Sequence, residues 1–273
     1  MKKFLSNSSF IISLCMLLII ILMAIFAPLL APHDPLAIDA NRVLESGSTD
    51  YPLGTDNFGR DILSRMLYGL RPTLFIAVCA TFLAMLIGTM MGMVAGFTGK
   101  IGEQLLMRTS DVIQCFPSML LAIMIVCFWN SSILTLIITL TIVYTPTFAR
   151  LAYASTLKVK EMEYVEAQTS LGAGFFRILF TGVFPNIFSS ILVQMSLTFG
   201  NAILLESGLS YLGLGIVPPA PSLGKMISDA QSFLYSNFTY LIYPAALLVV
   251  LILSINVFGD SLRDILDPRL NRD

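Results

Sequence analysis

Stretches free of Asp, Glu, Lys and Arg recur along this chain at about 10–30, 72–98, 113–129, 131–149, 187–205 and 241–259. Each is close to the roughly 20 residues that a helix needs to cross a bilayer's hydrocarbon core. Inside that core every backbone N–H and C=O has to be satisfied within the segment, so runs of this kind fold as helices. The sequence therefore predicts an all-α integral membrane protein with six transmembrane helices. Composition agrees, since 56% of the 273 residues are hydrophobic and 12% are charged, against about 25% charged in a soluble domain.

Several function classes are excluded early. Nucleic-acid binding needs a clustered basic surface, and the Lys and Arg residues here are scattered with a net charge of −1. Cys15, Cys79, Cys115 and Cys127 lie in or beside apolar runs without the spacings of a zinc site or a disulfide framework. His33, in the turn Pro32-His33-Asp34-Pro35, is the sole histidine, so no His cluster forms and no metal site is expected. Neither Gly99-Lys100 nor Gly224-Lys225 has the preceding Gly or the following Ser/Thr of a phosphate-binding loop. No catalytic residue and no cofactor are expected in this chain.

The apolar run after Lys2 and Lys3 is longer than the core of a signal peptide and is read as a retained first span. Residues 31–71 then form an outer loop ending in an amphipathic helix. In that helix Ile62, Leu63, Met66, Leu67 and Leu70 share one face, while Arg60, Asp61, Ser64 and Arg65 take the other. Such a helix is expected to lie at the interface. The third and fourth spans are expected to form a hairpin around Asn130-Ser131-Ser132. With the N-terminus in the cytoplasm, Lys2, Lys3, Lys100, Arg108, Arg150, Lys158, Lys160, Arg177, Arg263, Arg269 and Arg272 fall inside, and Arg42, Arg60, Arg65, Arg71 and Lys225 outside. The positive-inside rule favours this orientation, with both termini cytoplasmic.

Gly88, Gly92 and Gly96 clear one stripe of the second span for close approach of another helix. All the spans as drawn lack ionisable residues, and Arg71, Arg150 and Glu206 sit at span ends, where snorkelling or gating explains them. A carrier coupled to protons or sodium usually holds such residues within its spans. The chain thus has a pathway's architecture with no visible energy-coupling device of its own.

Work is then expected to enter through a surface, and the longest cytoplasmic segment runs from Arg150 to Phe184. Within it, residues 161–171 are rich in helix formers. The acidic Glu161, Glu163 and Glu166 lie where they favour a helix N-terminus, and Gly172 suits the position just past the C-terminus. Tyr164, Gln168 and Leu171 share one side at i, i+4, i+7 spacing and are expected to form a docking ridge. Pro185 fits the first turn of the following span.

This loop resembles the signature loop of permease subunits in ATP-binding-cassette importers, with Glu166, Ala167, Gly172 and Pro185 in register. Gln168 replaces the family's second Ala, and Gly182 and Phe184 replace Ile and Leu. Residues 52–65, 210–222 and 259–270 resemble the dipeptide, oligopeptide and nickel branch of that family. Leu223 departs from a common Trp. The short N-terminus and long first outer loop fit the second, C-type subunit.

The resemblance implies a type I importer permease fold. Residues 1–71 would form the N-terminal span, outer loop and interfacial helix, and residues 72–273 the permease domain. It implies that Glu163, Tyr164, Glu166, Ala167, Gln168, Leu171, Gly172 and Pro185 couple to an ATPase. The implied partners are a homologous permease, two ATP-binding subunits that hold ATP and Mg, an extracytoplasmic solute-binding protein and membrane lipid, all at a bacterial inner membrane. Short peptides are the first expectation for cargo, and nickel or a metal chelate the second. A stand-alone channel or secondary carrier and a noncatalytic membrane scaffold are the readings from other classes. No substrate-binding residue is assigned.

Overall fold

The computed structural model describes residues 8–266. Lys2, Lys3, Arg269 and Arg272, which entered the orientation argument, lie outside the described residues, as do both termini. Among the described residues the principal elements are α1 (Ser8–Ile25), α2 (Ile62–Thr98), α3 (Glu103–Gln114), α4 (Ser118–Trp129), α5 (Ile133–Lys160), α6 (Glu163–Ser170), α7 (Phe175–Tyr211), α8 (Leu223–Gln231) and α9 (Phe238–Leu266). The helices α1, α2, α5, α7 and α9 are long and apolar enough to cross a membrane. Counting the bent pair α3 and α4 as one broken span gives six.

The expected third span at 113–129 is the one that changes most. It breaks at Cys115-Phe116-Pro117, and α3 and α4 meet at a 93° bend. Pro117 explains the break, because it has no N–H for a helical bond and steers the residue before it out of the helical region. The hairpin turn at Asn130 does form. Asn130 takes φ 62°, and the Ser132 side chain caps α5 by accepting from the Thr135 N–H at 3.1 Å.

The interfacial helix expected at 60–71 is corrected. Residues from Ile62 are the first turns of α2, a continuous helix of 37 residues that passes through Arg71 and Pro72. Both faces are buried there: Ile62, Met66 and Leu70 on one, Arg60, Asp61, Ser64 and Arg65 on the other. Asp56 makes this tolerable. Its carboxylate meets Arg60 Nε at 2.6 Å and Arg65 Nε at 3.3 Å, and Arg65 also donates to the Pro35 carbonyl at 3.0 Å. A buried charge is expensive unless paired and hydrogen-bonded, and sequence periodicity alone does not reveal a partner in the preceding loop.

The core is centred on the contact of α2 with α5, which run parallel. A Cβ at Gly88 would come within 2.7 Å of Phe148 Cβ, one at Gly92 within 2.7 Å of Ala152 Cβ, and one at Gly96 within 2.9 Å of Thr156 Cβ. The glycine stripe therefore packs inside the subunit, with Phe148, Ala149 and Ala152 fully buried against it. On the other side, α7 packs on α2 and α9, α1 leans on α9 and α2, and α8 fills the space between α7 and α9.

The fifth span also extends beyond its charge-free run. Because α7 continues to Tyr211, Glu206 lies within a spanning helix and is fully buried. Its burial leaves it no solvent to snorkel to. Hydroxyls replace water around it: Ser210 Oγ donates to its Oε1 at 2.7 Å and Ser207 Oγ to its Oε2 at 3.4 Å. Among the described residues no cation lies within ion-pair distance of it. Arg150 likewise stands inside α5, which runs on to Lys160, and pairs with Asp111 of α3 at 2.8 Å.

Candidate coupling site

Most of the segment from Arg150 to Phe184 is helical, since α5 supplies residues through Lys160 and α7 resumes at Phe175. Between them stands α6. Met162 is its extended N-cap, with no side-chain cap, and its carbonyl accepts from the Val165 and Glu166 N–H groups at 2.9 and 3.2 Å. Glu163 and Glu166 occupy the first turn, where the helix dipole favours carboxylates.

The other end is closed by two backbone bonds, Gly172 N–H to Thr169 O and Ala173 N–H to Gln168 O, both at 3.0 Å. This is a Schellman termination, which needs a left-handed residue just past the cap. Gly172 supplies it at φ 77°. Nothing lies within 4 Å of where a Cβ would be, so the glycine serves the backbone conformation and not packing.

One residue that the sequence reading passed over sets which face of α6 turns inward. Val165 is buried in the cluster formed by Val159, Ile178, Leu179, Val183 and Ile187. Beside that face, Tyr164 and Leu171 are exposed and Gln168 is half-buried. Tyr164 Oη donates to the Gly182 carbonyl at 3.2 Å, and Asn186 Nδ2 donates to the same oxygen at 2.7 Å. Burial raises the Tyr164 phenol pKa above its usual value. The Gln168 carboxamide lies over Gly182, where a Cβ would come within 2.9 Å of its Oε1.

The outward surface includes Glu163, Tyr164, Glu166, Ala167 and Leu171. Leu171 is 87% exposed, and Phe176, just beyond the turn, is 65% exposed. Large apolar side chains so open to solvent at the tip of a polar loop mark an interaction surface when they cluster.

Pro185 takes the first turn of the regular α-helical part of α7, Phe184–Tyr211, directly after a widened π-helical stretch at Ile178–Val183 in which the Phe184 N–H bonds back to the Leu179 carbonyl. Such a turn absorbs the missing donor and lets a helix continue. Phe184 follows the same turn, half-buried. The loop is thus joined to the pathway by an unbroken helix.

A second anchor ties the end of α5 to α2. Lys160 Nζ donates to the Phe97 carbonyl at 3.1 Å and lies 5.3 Å from the centre of the Phe97 ring. A cation at a helix C-terminus is favourable there. Phe97 in turn meets Phe175 edge to face at 5.5 Å. Helix α6 is therefore held against α7 by the Tyr164 hydrogen bond and the Gln168 contact, while the helix that leads into it, α5, is tied to α2 through Lys160.

Comparison with known proteins gives this geometry its context. The family described as "Binding-protein-dependent transport system inner membrane component" matches residues 88–272. The chain belongs to this permease family. The N-terminal transmembrane domain of oligopeptide transport permease C matches residues 1–46 of the permease. The oligopeptide transport system permease protein OppC of Bacillus subtilis is 39% identical over 272 residues, covering 100% of this chain and 89% of that protein. The dipeptide transport system permease protein DppC of Haemophilus influenzae is 34% identical, covering 98% and 93%. The glutathione transport system permease protein GsiD of Pectobacterium atrosepticum is 36% identical, covering 98% and 90%.

Among solved structures, an inward-facing form of the MetNI methionine ABC transporter aligns with a TM-score of 0.60 at 18% identity, over 74% of this permease and 97% of that chain. That likeness is one of fold. The permease is a C-type subunit of the peptide branch of ATP-binding-cassette importers with the type I permease architecture.

Proposed function

We propose that this permease forms half of a translocation pathway for short peptides, pairing with a homologous permease above two ATP-hydrolysing subunits. An extracytoplasmic binding protein delivers the substrate. The permease holds no ATP or Mg itself; both belong to the ATPase subunits. In this reading α6 is the coupling helix: Glu163, Glu166, Ala167 and Leu171 enter a cleft of the ATPase, and Tyr164, Gln168 and Gly172 hold the helix in place. Closure of the ATPase pair on ATP displaces α6. The contact at Gly182 passes that displacement to α7, α5 carries it to α2 through Lys160 and Phe97, and the pathway changes the side to which it opens.

The observation that carries this reading is the construction of α6 itself. It is a short helix with a defined stop and an exposed apolar tip, hydrogen-bonded to α7 through Tyr164 and packed there through Val165. A rigid element transmits displacement, and an exposed tip needs a partner. A peptide cargo is favoured over nickel or a metal chelate because the related permeases named above carry peptide or glutathione transport in their names.

The inner membrane is the proposed site, with the α6 end of the bundle in the cytoplasm. That end carries Lys100, Arg108, Arg150, Lys158, Lys160, Arg177 and Arg263, in keeping with the positive-inside rule. At the other end, Arg60 and Arg65 are held by Asp56 and are not free surface charges.

Affinity purification of the tagged permease from native membranes tests the assembly. Two ATPase subunits and a second permease are expected to co-purify, and the associated binding protein is expected to carry short peptides. Peptide uptake by liposomes containing the permease alone would overturn the proposal in favour of a self-sufficient carrier.

A further inference from the structure

The N-terminal helix α1 lies against α2, α7 and α9 in a way that leaves an apolar groove. Its first chamber, of about 650 Å³, is lined by Ile21, Ala24, Phe75, Val78 and Phe199, with Arg71 as the only charged residue in its wall. A second chamber of about 370 Å³ shares Ile21, Val78 and Phe199 and continues to Leu14 and Phe258. The two form one channel along α1. From Ile25 to Leu14 it follows eleven residues, about 16 Å at 1.5 Å per residue, or about half of the 30 Å hydrocarbon thickness. That is the depth of one leaflet.

Arg71 stands where the charge-free part of α2 begins, at the level expected for headgroups. Its side chain is exposed, and its guanidinium lies 5.8 Å from the Tyr68 ring centre. No carboxylate among the described residues is within ion-pair distance of it. A guanidinium at the head of a leaflet-deep apolar groove matches a phosphate attached to an acyl chain, because Arg pairs with phosphate through two parallel N–H donors. We propose that this groove is a phospholipid site, with Arg71 on the headgroup phosphate and one acyl chain along α1 between Val78 and Phe199. The site stands independently of the transported cargo.

Photo-cross-linking tests it. The complete permease complex is reconstituted into nanodiscs containing phosphatidylglycerol with a diazirine midway along one acyl chain, irradiated, and mapped by peptide mass spectrometry. Adducts are expected to concentrate on Phe75, Val78 and Phe199. Arg71→Gln should lower their yield about tenfold, as loss of a charge-assisted pair implies, while Arg71→Lys should retain most of it. Val78→Trp, which fills the groove and leaves Arg71 intact, should remove the adducts on Phe199. Elution volume and circular dichroism establish that each variant is folded.

Three results would each overturn the site: adducts spread evenly over other exposed apolar positions such as Leu86, Ile87 and Leu253; a yield indifferent to Arg71→Gln; or groove labelling seen with the isolated chain and lost once the second permease binds. The last would make the groove a contact between permeases.

Discussion

The Gln168 carboxamide occupies the space that a side chain at position 182 would need, with its Oε1 2.9 Å from where a Gly182 Cβ would stand. Both residues depart from the family pattern, Gln168 where Ala is written and Gly182 where Ile is written, and the structure makes them one exchange of volume across the contact of α6 with α7. Gly182→Ile alone should overpack this contact at a cost of about 1–3 kcal/mol, and Gln168→Ala alone should leave a cavity. Combining the two should recover most of the loss. Thermal unfolding of the purified complex supplies the double-mutant cycle, and strictly additive losses would show that the two sites are independent.

Tyr164 and Asn186 donate to the same Gly182 carbonyl, so either one keeps that oxygen satisfied. Tyr164→Phe should cost about 0.5–1.5 kcal/mol, the net worth of an ordinary hydrogen bond. Adding Asn186→Ala removes the second side-chain donor and should cost about 0.5–1.5 kcal/mol more. Hydrogen exchange over residues 163–170 reads the effect locally. Protection there should fall modestly in the single variant and further in the double.

The glycines of the α2 stripe are not equivalent. A methyl group at Gly92 would collide with the Ala149 carbonyl oxygen as well as Ala152 Cβ, and one at Gly88 with the Thr145 carbonyl oxygen and Phe148 Cβ. At Gly96 the nearest atoms are those of the Thr156 side chain. Backbone cannot yield as a side chain can. Gly92→Ala and Gly88→Ala should therefore lower the unfolding temperature in detergent far more than Gly96→Ala, and equal losses at all three would contradict the packing described.

Asp56 is fully buried between two buried arginines. Asp56→Asn leaves both cations without a counter-charge and should cost about 3–5 kcal/mol, the range for breaking a buried pair from one side. Arg42→Gln, which removes an exposed pair with Asp50, should change stability by about 0–1 kcal/mol. Comparing the two by denaturant unfolding separates buried from surface electrostatics at the same end of the molecule.

The spanning helices were legible in the sequence because long charge-free runs have few other solutions in a bilayer, and the stop at Gly172 was legible because its backbone requirement is local. The break at Pro117 was visible as a residue, yet uniform hydropathy on either side of it concealed the 93° bend. Charge was the least readable property. Asp56, in the preceding loop, pairs with both Arg60 and Arg65, and Glu206 accepts from the nearby Ser207 and Ser210, so each buried group finds partners that its charge alone does not reveal. The inward face of α6 was not legible because its spacing admits several faces, and Val165 fixes one of them only once the cluster around Ile178 and Leu179 is assembled.

Peptide uptake by proteoliposomes carrying the full complex, driven by ATP, tests most directly whether α6 is where work enters. Glu166→Lys with Gly172→Asp reverses a charge on the exposed face and puts a side chain at a left-handed position, a local strain of about 1–2 kcal/mol with open space around it. That double variant should insert and assemble its spanning helices normally and yet show no uptake above background. Uptake at the rate of the unaltered permease would contradict the coupling role of the helix.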